Sequence, residues 1–185
     1  MRVIAGTARS LHLKTPEGLH TRPTTDRIKE TLFNMLQFYL ADCVFVDLCS
    51  GSGGIGIEAL SRGAKKAYFI DNDASAITCI KENLQTTRLS DRAVVIRQDI
   101  FSALSHVTEK EVDIIFIDPP YEAGYEEKLL LALQEMPYVT EDTIIIIEAA
   151  LDTDFSFANG IGFDVYKEKK YKTNKHVFIK KETSA

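Results

Sequence analysis

The chain has 185 residues, of which 45% are hydrophobic and 26% charged, the proportions of an ordinary globular domain. Its longest all-aliphatic run, Ile144 to Ile147, is far too short to cross a bilayer. The N-terminus has no apolar signal segment, the three cysteines form no CxxC pair, and the four histidines show no metal spacing. We therefore expect a cytoplasmic, reduced protein of one domain with a short extension and no bound metal.

The net charge of −5 is unevenly distributed along the chain. Residues 1–40 carry six Lys or Arg against three acids, and residues 165–185 carry seven Lys against two acids, whereas the segment between them is strongly acidic. Basic ends around an acidic centre favour a polyanion held by the ends and a cationic ligand held in the middle. The alternative is chance clustering of solvated charge.

In chain order, short β elements are predicted at residues 2–5 and 11–14, followed by a helix that begins at Thr24. Strands are then predicted at 44–46, 67–70, 93–96, 112–117 and 143–147, with helices at 55–62, 75–84 and 125–136. Apolar runs alternating with helical patterns predict a doubly wound α/β fold with a parallel sheet. Two last strands, at 162–167 and 176–180, form a predicted hairpin around a lysine-rich turn, so the sheet should be mixed at one end.

An acidic residue follows each of the first four long apolar runs: Asp47, Asp71, Asp99 and Asp118. The carboxyl ends of parallel strands lie at one edge of a sheet, where the ligand crevice of such folds is found. One such aspartate could simply cap a turn or a helix. Four in register predict a shared cleft.

A glycine-rich loop follows the first of these strands, with Gly51, Gly53 and Gly56 in a G-x-G-x-x-G spacing. Asp71 lies 20 residues after Gly51, so the pattern fits a dinucleotide site equally well. Asp47 argues against a pyrophosphate, because its carboxylate would repel one. It suits a ligand with an ammonium group and no phosphate, such as S-adenosylmethionine.

In that interpretation Asp47 lies near the methionine end of the cofactor, Asp71 binds the ribose hydroxyls, and Asp99 with the Ile100 backbone meets the adenine. The spacing from Asp47 to Gly56 resembles the first motif of class I methyltransferases, and the acids at 71 and 99 match the next two motifs. The predicted cofactor-binding set is Asp47, Gly51, Ser52, Gly53, Gly56, Asp71, Asn72, Asp99 and Ile100.

The predicted catalytic segment is Asp118-Pro119-Pro120-Tyr121, after the fourth strand. Two prolines make a rigid turn that donates no hydrogen bonds. Asp118 and the Pro119 carbonyl can each accept one N–H of a planar exocyclic amine, and Tyr121 can stack on the base. The segment resembles the motif of amino methyltransferases that act on adenine N6, cytosine N4, guanine N2 or the glutamine amide.

Residues 20–36, HTRPTTDRIKETLFNML, together with the glycine loop and the Asp-Pro-Pro-Tyr segment, resemble the RsmD family of bacterial 16S rRNA guanine-N2 methyltransferases. The resemblance implies a Rossmann-like class I fold, with a seven-stranded, mostly parallel sheet and an antiparallel last strand. It divides the chain into an N-terminal extension (1–40), a β-hairpin plus helix facing RNA and cofactor, and a methyltransferase domain (41–185). The implied substrate is one guanine of 16S rRNA in the small subunit or its assembly intermediate, the implied product S-adenosylhomocysteine, and the expected state a monomer.

RNA contacts are expected from basic and polar residues at both ends of the chain: Arg9, Arg22, Thr24, Arg27, Lys170, Lys172 and Lys175. Such contacts position a phosphate backbone without reading its sequence. Family members often carry Tyr-Gly-Asp-Thr near the last hairpin, whereas this chain reads Tyr-Lys-Thr-Asn-Lys at 171–175, which favours phosphate binding. A solvated lysine hairpin is the alternative.

Three other functions compete with this one. An amino methyltransferase for DNA adenine or cytosine or for a protein glutamine would use the same chemistry, although 185 residues leave little room for a DNA-reading domain. A nicotinamide-dependent oxidoreductase would use the same glycine loop, but Asp47 and the Asp-Pro-Pro-Tyr segment argue against it. A non-catalytic RNA-binding factor could retain the fold, against which the intact segment also argues.

Overall fold

The computed structural model describes residues 1–16, 25–119 and 124–183. The helices are α1 (Asp26–Leu36), α2 (Gly54–Ser61), α3 (Ala74–Thr87), α4 (Ile100–Leu104) and α5 (Tyr125–Gln134). The strands are β1 (Val44–Leu48), β2 (Lys66–Asp71), β3 (Ala93–Arg97), β4 (Ile114–Ile117), β5 (Ile144–Ala150), β6 (Phe163–Lys170) and β7 (Asn174–Lys181). Short 3₁₀ turns lie at Ser90–Arg92 and Ala158–Ile161.

All seven strands form one sheet in the order β3-β2-β1-β4-β5-β7-β6. The first five strands pair in parallel, whereas β7 is antiparallel to both β5 and β6. The doubly wound fold and the mixed end of the sheet are therefore confirmed. Because β7 inserts between β5 and β6, it lies inside the sheet although it is the last strand in sequence.

The core lies on both faces of the sheet, as the apolar runs predict. Successive strand residues point to opposite faces, so Phe45 joins the cluster under α1, α2 and α3, and Val46 joins the cluster under α4 and α5. Strands β1 and β4 are buried along their whole length. This arrangement leaves the carboxyl ends of the parallel strands free to form a site.

The N-terminal residues form one antiparallel bridge, between Arg2 and His12, in place of the two predicted strands. The backbone N–H groups of Ile4 and Ala5 donate instead to the Glu58 carboxylate on α2, at 2.8 and 3.0 Å. The same carboxylate lies 3.2 Å from the Lys29 ammonium of α1, and both side chains are fully buried. The predicted pairing is short because these amides bond to a side chain rather than to a strand.

Other boundaries differ by a few residues. Helix α1 begins at Asp26, with Thr25 as its N-cap, and the predicted first residue, Thr24, lies outside the described residues. Helix α4 was not predicted at all, and the last hairpin is longer than expected, which reduces its turn to residues 171–173. Within the described ranges, no helix combines the length and apolar character needed to cross a membrane.

Candidate active site

The glycine loop joins β1 to α2 through a sharp turn that only a flexible backbone makes easily. Gly51 and Gly53 have φ values of 54° and 76°, in the left-handed region. A Cβ at Gly56 would lie 2.4 Å from Cε1 of Phe69, so α2 packs directly on β2 at this point. The Asp47 carboxylate accepts the Gly56 N–H at 2.9 Å and ties the end of β1 to the start of α2.

Asp71, at the end of β2, holds the other side of this loop. Its two carboxylate oxygens accept the backbone N–H groups of Gly51 and Asp73, each at 2.9 Å. Asp71 and the neighbouring Asn72 both line the cleft above the sheet. Asp71, which is predicted to bind the ribose hydroxyls, is therefore held rigidly beside the glycine loop.

Asp99 follows β3 and has a structural role beside its predicted one. Its carboxylate caps α4 by accepting the Ser102 N–H at 3.0 Å, and its hydrogen bonds to Ser102 hold the pKa of Asp99 below its ordinary value. Asp99 and Ile100 both line the cleft. The buried Oε1 of Gln98 also lies at this end and has no hydrogen-bond partner among the described residues.

Asp118 lies directly after β4, between the carboxylates of Asp47 and Glu148. Burial and these two neighbours raise the pKa of Asp118 to about 8. Burial also raises the pKa of Asp47 to about 7, against the opposing effect of the Gly56 hydrogen bond. Pro119 is buried and lines the cleft, whereas Pro120 and Tyr121 lie outside the described residues. Buried acids at such spacing favour a cationic ligand.

One part of the site was missed in the sequence. Glu148 follows the aliphatic run Ile144 to Ile147 of β5 and pairs across the sheet with His176 of β7. Its two carboxylate oxygens accept hydrogen bonds from Asn174 Nδ2 and from His176 Nε2, the latter at 3.3 Å. The Tyr171 hydroxyl lies 3.1 Å from His176 Nδ1. The strand-end argument that singled out the four aspartates applies equally to Glu148 and could have identified it.

These groups line a single cleft of about 1330 Å³ at the carboxyl edge of the sheet. It brings together twelve of the predicted site residues: Asp47, Gly51, Ser52, Asp71, Asn72, Asp99, Ile100, Asp118, Pro119, Arg27, Lys170 and Lys172. Gly53 and Gly56 do not line the cleft, but they set the shape of the glycine loop. Arg22 and Thr24 lie outside the described residues.

Two basic residues predicted to contact RNA lie away from the cleft lining. Arg9 is exposed on the N-terminal segment. Lys175 differs more clearly from the prediction, because it is only 5% exposed. Its ammonium is 2.9 Å from the Glu168 carboxylate and lies over the Phe155 ring. Its charge is therefore already used inside the protein, and we correct its assignment as an RNA contact.

The strand order, the glycine loop after β1 and the acids at the strand ends together define a methyltransferase. The Conserved hypothetical protein 95 family model matches residues 1–180, and the chain belongs to this family, which confirms the resemblance to the RsmD family.

Relatives and solved structures agree with this assignment. The chain is 43% identical to YlbH of Bacillus subtilis (strain 168) over 150 residues, covering 80% of this chain and 82% of YlbH. It is 38% identical over 156 residues to Ribosomal RNA small subunit methyltransferase D of Haemophilus influenzae, covering 82% of this chain and 80% of that protein. The solved structure of yhhF from Escherichia coli superimposes with a TM-score of 0.83 at 30% identity, covering 100% of this chain and 99% of yhhF.

Proposed function

We propose that this methyltransferase transfers the methyl group of S-adenosylmethionine to the exocyclic N2 amine of one guanine in 16S rRNA. The observation that carries the proposal is the position of Asp118 and Pro119 in the same cleft as Asp71 and the glycine loop. Two hydrogen-bond acceptors that can hold an amine, placed beside a nucleoside-binding loop, support methyl transfer to that amine. The small-subunit rRNA substrate follows from the names of the relatives that cover most of the chain.

The residues present fit S-adenosylmethionine. A Cβ at Gly51 would meet open space, so the bare backbone leaves room for a ligand against the loop. Asp71 would hold the ribose hydroxyls. Gln98 Oε1, for which the described ranges provide no partner, would accept from the adenine amine beside Asp99 and Ile100. The carboxylates of Asp47 and Asp118 would complement the ligand's positive charge, which in turn favours their ionised forms. When bound, the cofactor supplies a methyl group on a sulfonium, a good leaving group.

Asp118 would act on the target amine. Its carboxylate accepts one N–H and the Pro119 carbonyl accepts the other, which points the nitrogen lone pair at the methyl group. As the N–C bond forms, the C–S bond breaks and its electron pair goes to sulfur, giving S-adenosylhomocysteine. The methylated nitrogen then loses a proton, which the Asp118 carboxylate can take, because its raised pKa of about 8 makes it a better base than an ordinary aspartate.

The N-terminal extension (1–40) would face both RNA and cofactor. Thr25, Arg27, Ile28 and Thr31 of the α1 region line the cleft, and Lys170 and Lys172 line it from the last hairpin. These cations would hold phosphates on either side of the target base. We propose that the enzyme acts as a monomer in the cytoplasm on the small subunit or its assembly intermediate.

The test is transfer of labelled methyl from S-adenosylmethionine to unmodified small subunits, naked 16S rRNA and duplex DNA, side by side. N2-methylguanosine in digested subunit RNA would support the proposal, and the naked-RNA sample would show whether ribosomal proteins form part of the substrate. Label in DNA or protein, with none in RNA, would overturn the rRNA substrate. Failure of the wild-type protein to bind S-adenosylmethionine would overturn the enzymatic function itself.

A further inference from the structure

Asn174 is a buried cleft residue whose amide oxygen is left without a partner by the part of the chain that the structure describes. It lies at the start of β7, is 7% exposed and lines the cleft. Its Oδ1 has no hydrogen-bond partner among the residues that the structure describes. A buried acceptor without a partner costs free energy that an incoming donor recovers. This oxygen therefore points to a ligand that carries an N–H or O–H group.

The orientation of the Asn174 side chain is fixed by its neighbour. A carboxylate only accepts hydrogen bonds, so Glu148 must face the amide nitrogen of Asn174, which leaves the amide oxygen facing away. The Glu148 carboxylate also accepts a hydrogen bond from His176 Nε2. In a neutral imidazole that donates through Nε2, Nδ1 is an acceptor, so the Tyr171 hydroxyl donates to it. Burial and Glu148 raise the pKa of Tyr171 to about 12, so its phenol keeps the proton that it donates.

Strand pairing places this oriented amide beside the proposed amine site. The parallel register pairs Ile117 with Ile147, so Asp118 and Glu148, the next residues, are neighbours. Their proximity also appears in the effect of Glu148 on the pKa of Asp118. Asn174 and His176 lie two residues apart on β7, and therefore on the same face of the strand.

We propose that Asn174 selects guanine as the target base, an inference that rests on the function proposed above. In guanine the N2 amine is flanked by the N1–H donor, which Asn174 Oδ1 accepts while Asp118 holds the amine. In adenine and cytosine the ring nitrogen beside the amine is an acceptor. Its lone pair would face a lone pair of Asn174 Oδ1, and the two would repel each other. Because Glu148 prevents the amide from turning over, the site rejects those two bases.

The sharpest test compares Asn174→Thr with Asn174→Val. The two side chains have nearly the same shape and both suit a strand, so they lose the same packing, but only threonine retains an oxygen that can donate to Glu148 and accept from N1–H. Asn159→Val, at an exposed asparagine on the last 3₁₀ turn, is the matched control. Each variant is assayed for methyl transfer to unmodified small subunits and, by calorimetry, for binding of S-adenosylmethionine.

We expect all variants to bind the cofactor like the wild type. Asn174→Val should lower kcat/KM for subunits about 30-fold, Asn174→Thr about threefold, and Asn159→Val not at all. Equal activities of the threonine and valine variants would overturn the role of Asn174 while wild-type transfer to guanine upholds the proposed function. A wild-type product methylated on adenine N6 or cytosine N4 would overturn both proposals, as would the absence of any wild-type transfer to RNA.

Discussion

The two halves of the cleft hold their acidic groups in different ways. On the β1–β3 side, Asp71 accepts backbone N–H groups from the glycine loop and from the turn after β2, and Asp99 accepts one from α4. On the β4–β5 side, burial and the neighbouring Glu148 raise the pKa of Asp118, and the Glu148 carboxylate accepts hydrogen bonds from side chains of β7. The acids of the first half are fixed by backbone hydrogen bonds and form a rigid binding surface for a ligand. In the second half, Asp118 has a raised pKa and can take up a proton during the reaction.

The largest effect should come from Asp118→Ala, which removes the acceptor for the target amine. We expect methyl transfer to fall about 1000-fold, because the variant loses both the positioning of the amine and the proton acceptor. Binding of S-adenosylmethionine, measured by calorimetry, should remain within a few-fold of the wild-type value. Full activity in this variant would contradict the chemistry assigned to the β4–β5 side.

Asp71→Ala should show the opposite pattern. Removal of this carboxylate deletes the proposed ribose contact and releases the Gly51 N–H, so cofactor affinity should fall by about 2 kcal/mol, or roughly 30-fold. At saturating cofactor the turnover number should change little. Asp91→Ala, at an exposed aspartate before β3, is the control and should leave both values unchanged.

The pH dependence of the reaction should report on the β4–β5 side. Transfer requires the Asp118 carboxylate, and the pKa of this group is raised to about 8, so the proton must leave before the group can work. The kcat/KM for S-adenosylmethionine, which reports on the enzyme without cofactor, should rise about tenfold between pH 7 and pH 8.5 and then level off. A profile that is flat across this range would show that ionisation of Asp118 does not limit the reaction.

The smallest effect should come from single lysines at the RNA side. Lys172 is exposed and lines the cleft, so Lys172→Ala should raise KM for subunits about threefold and reduce the salt dependence of binding by roughly one charge. Lys175→Ala is the matched control, because that lysine is buried against Glu168. It should lower the melting temperature and leave the salt dependence unchanged.

The same division explains what could be predicted from the sequence. The glycines and acids of the β1–β3 side fall in a spacing pattern that the sequence itself displays, so they could be predicted to share one cleft. Helix α4 was missed because five residues after a strand give too little periodicity to recognise. The contacts of Glu148 join residues 26 and 28 positions apart through the insertion of β7, which no local pattern contains.

Counting charges likewise overestimated the RNA surface. The lysines near the end of the chain look alike in sequence, and the prediction assigned Lys170, Lys172 and Lys175 alike to RNA binding. Lys175 instead lies in the buried part of β7, where the fold places it next to Phe155 and Glu168. Burial of a charge depends on the partner that tertiary packing supplies, so it could not be read from the lysine-rich stretch alone.

The inserted position of β7 also constrains how the protein is made. A growing chain that has reached β6 leaves the β5 edge of the sheet unpaired, with the aliphatic run Ile144 to Ile147 beside it. Such an edge is open to pairing with other chains. Only when residues 174–181 emerge from the translating ribosome can the edge be filled and Asn174 reach Glu148. Chains synthesised only as far as β6 should therefore be inactive and prone to aggregation, because the β5 edge is filled only once β7 has been made.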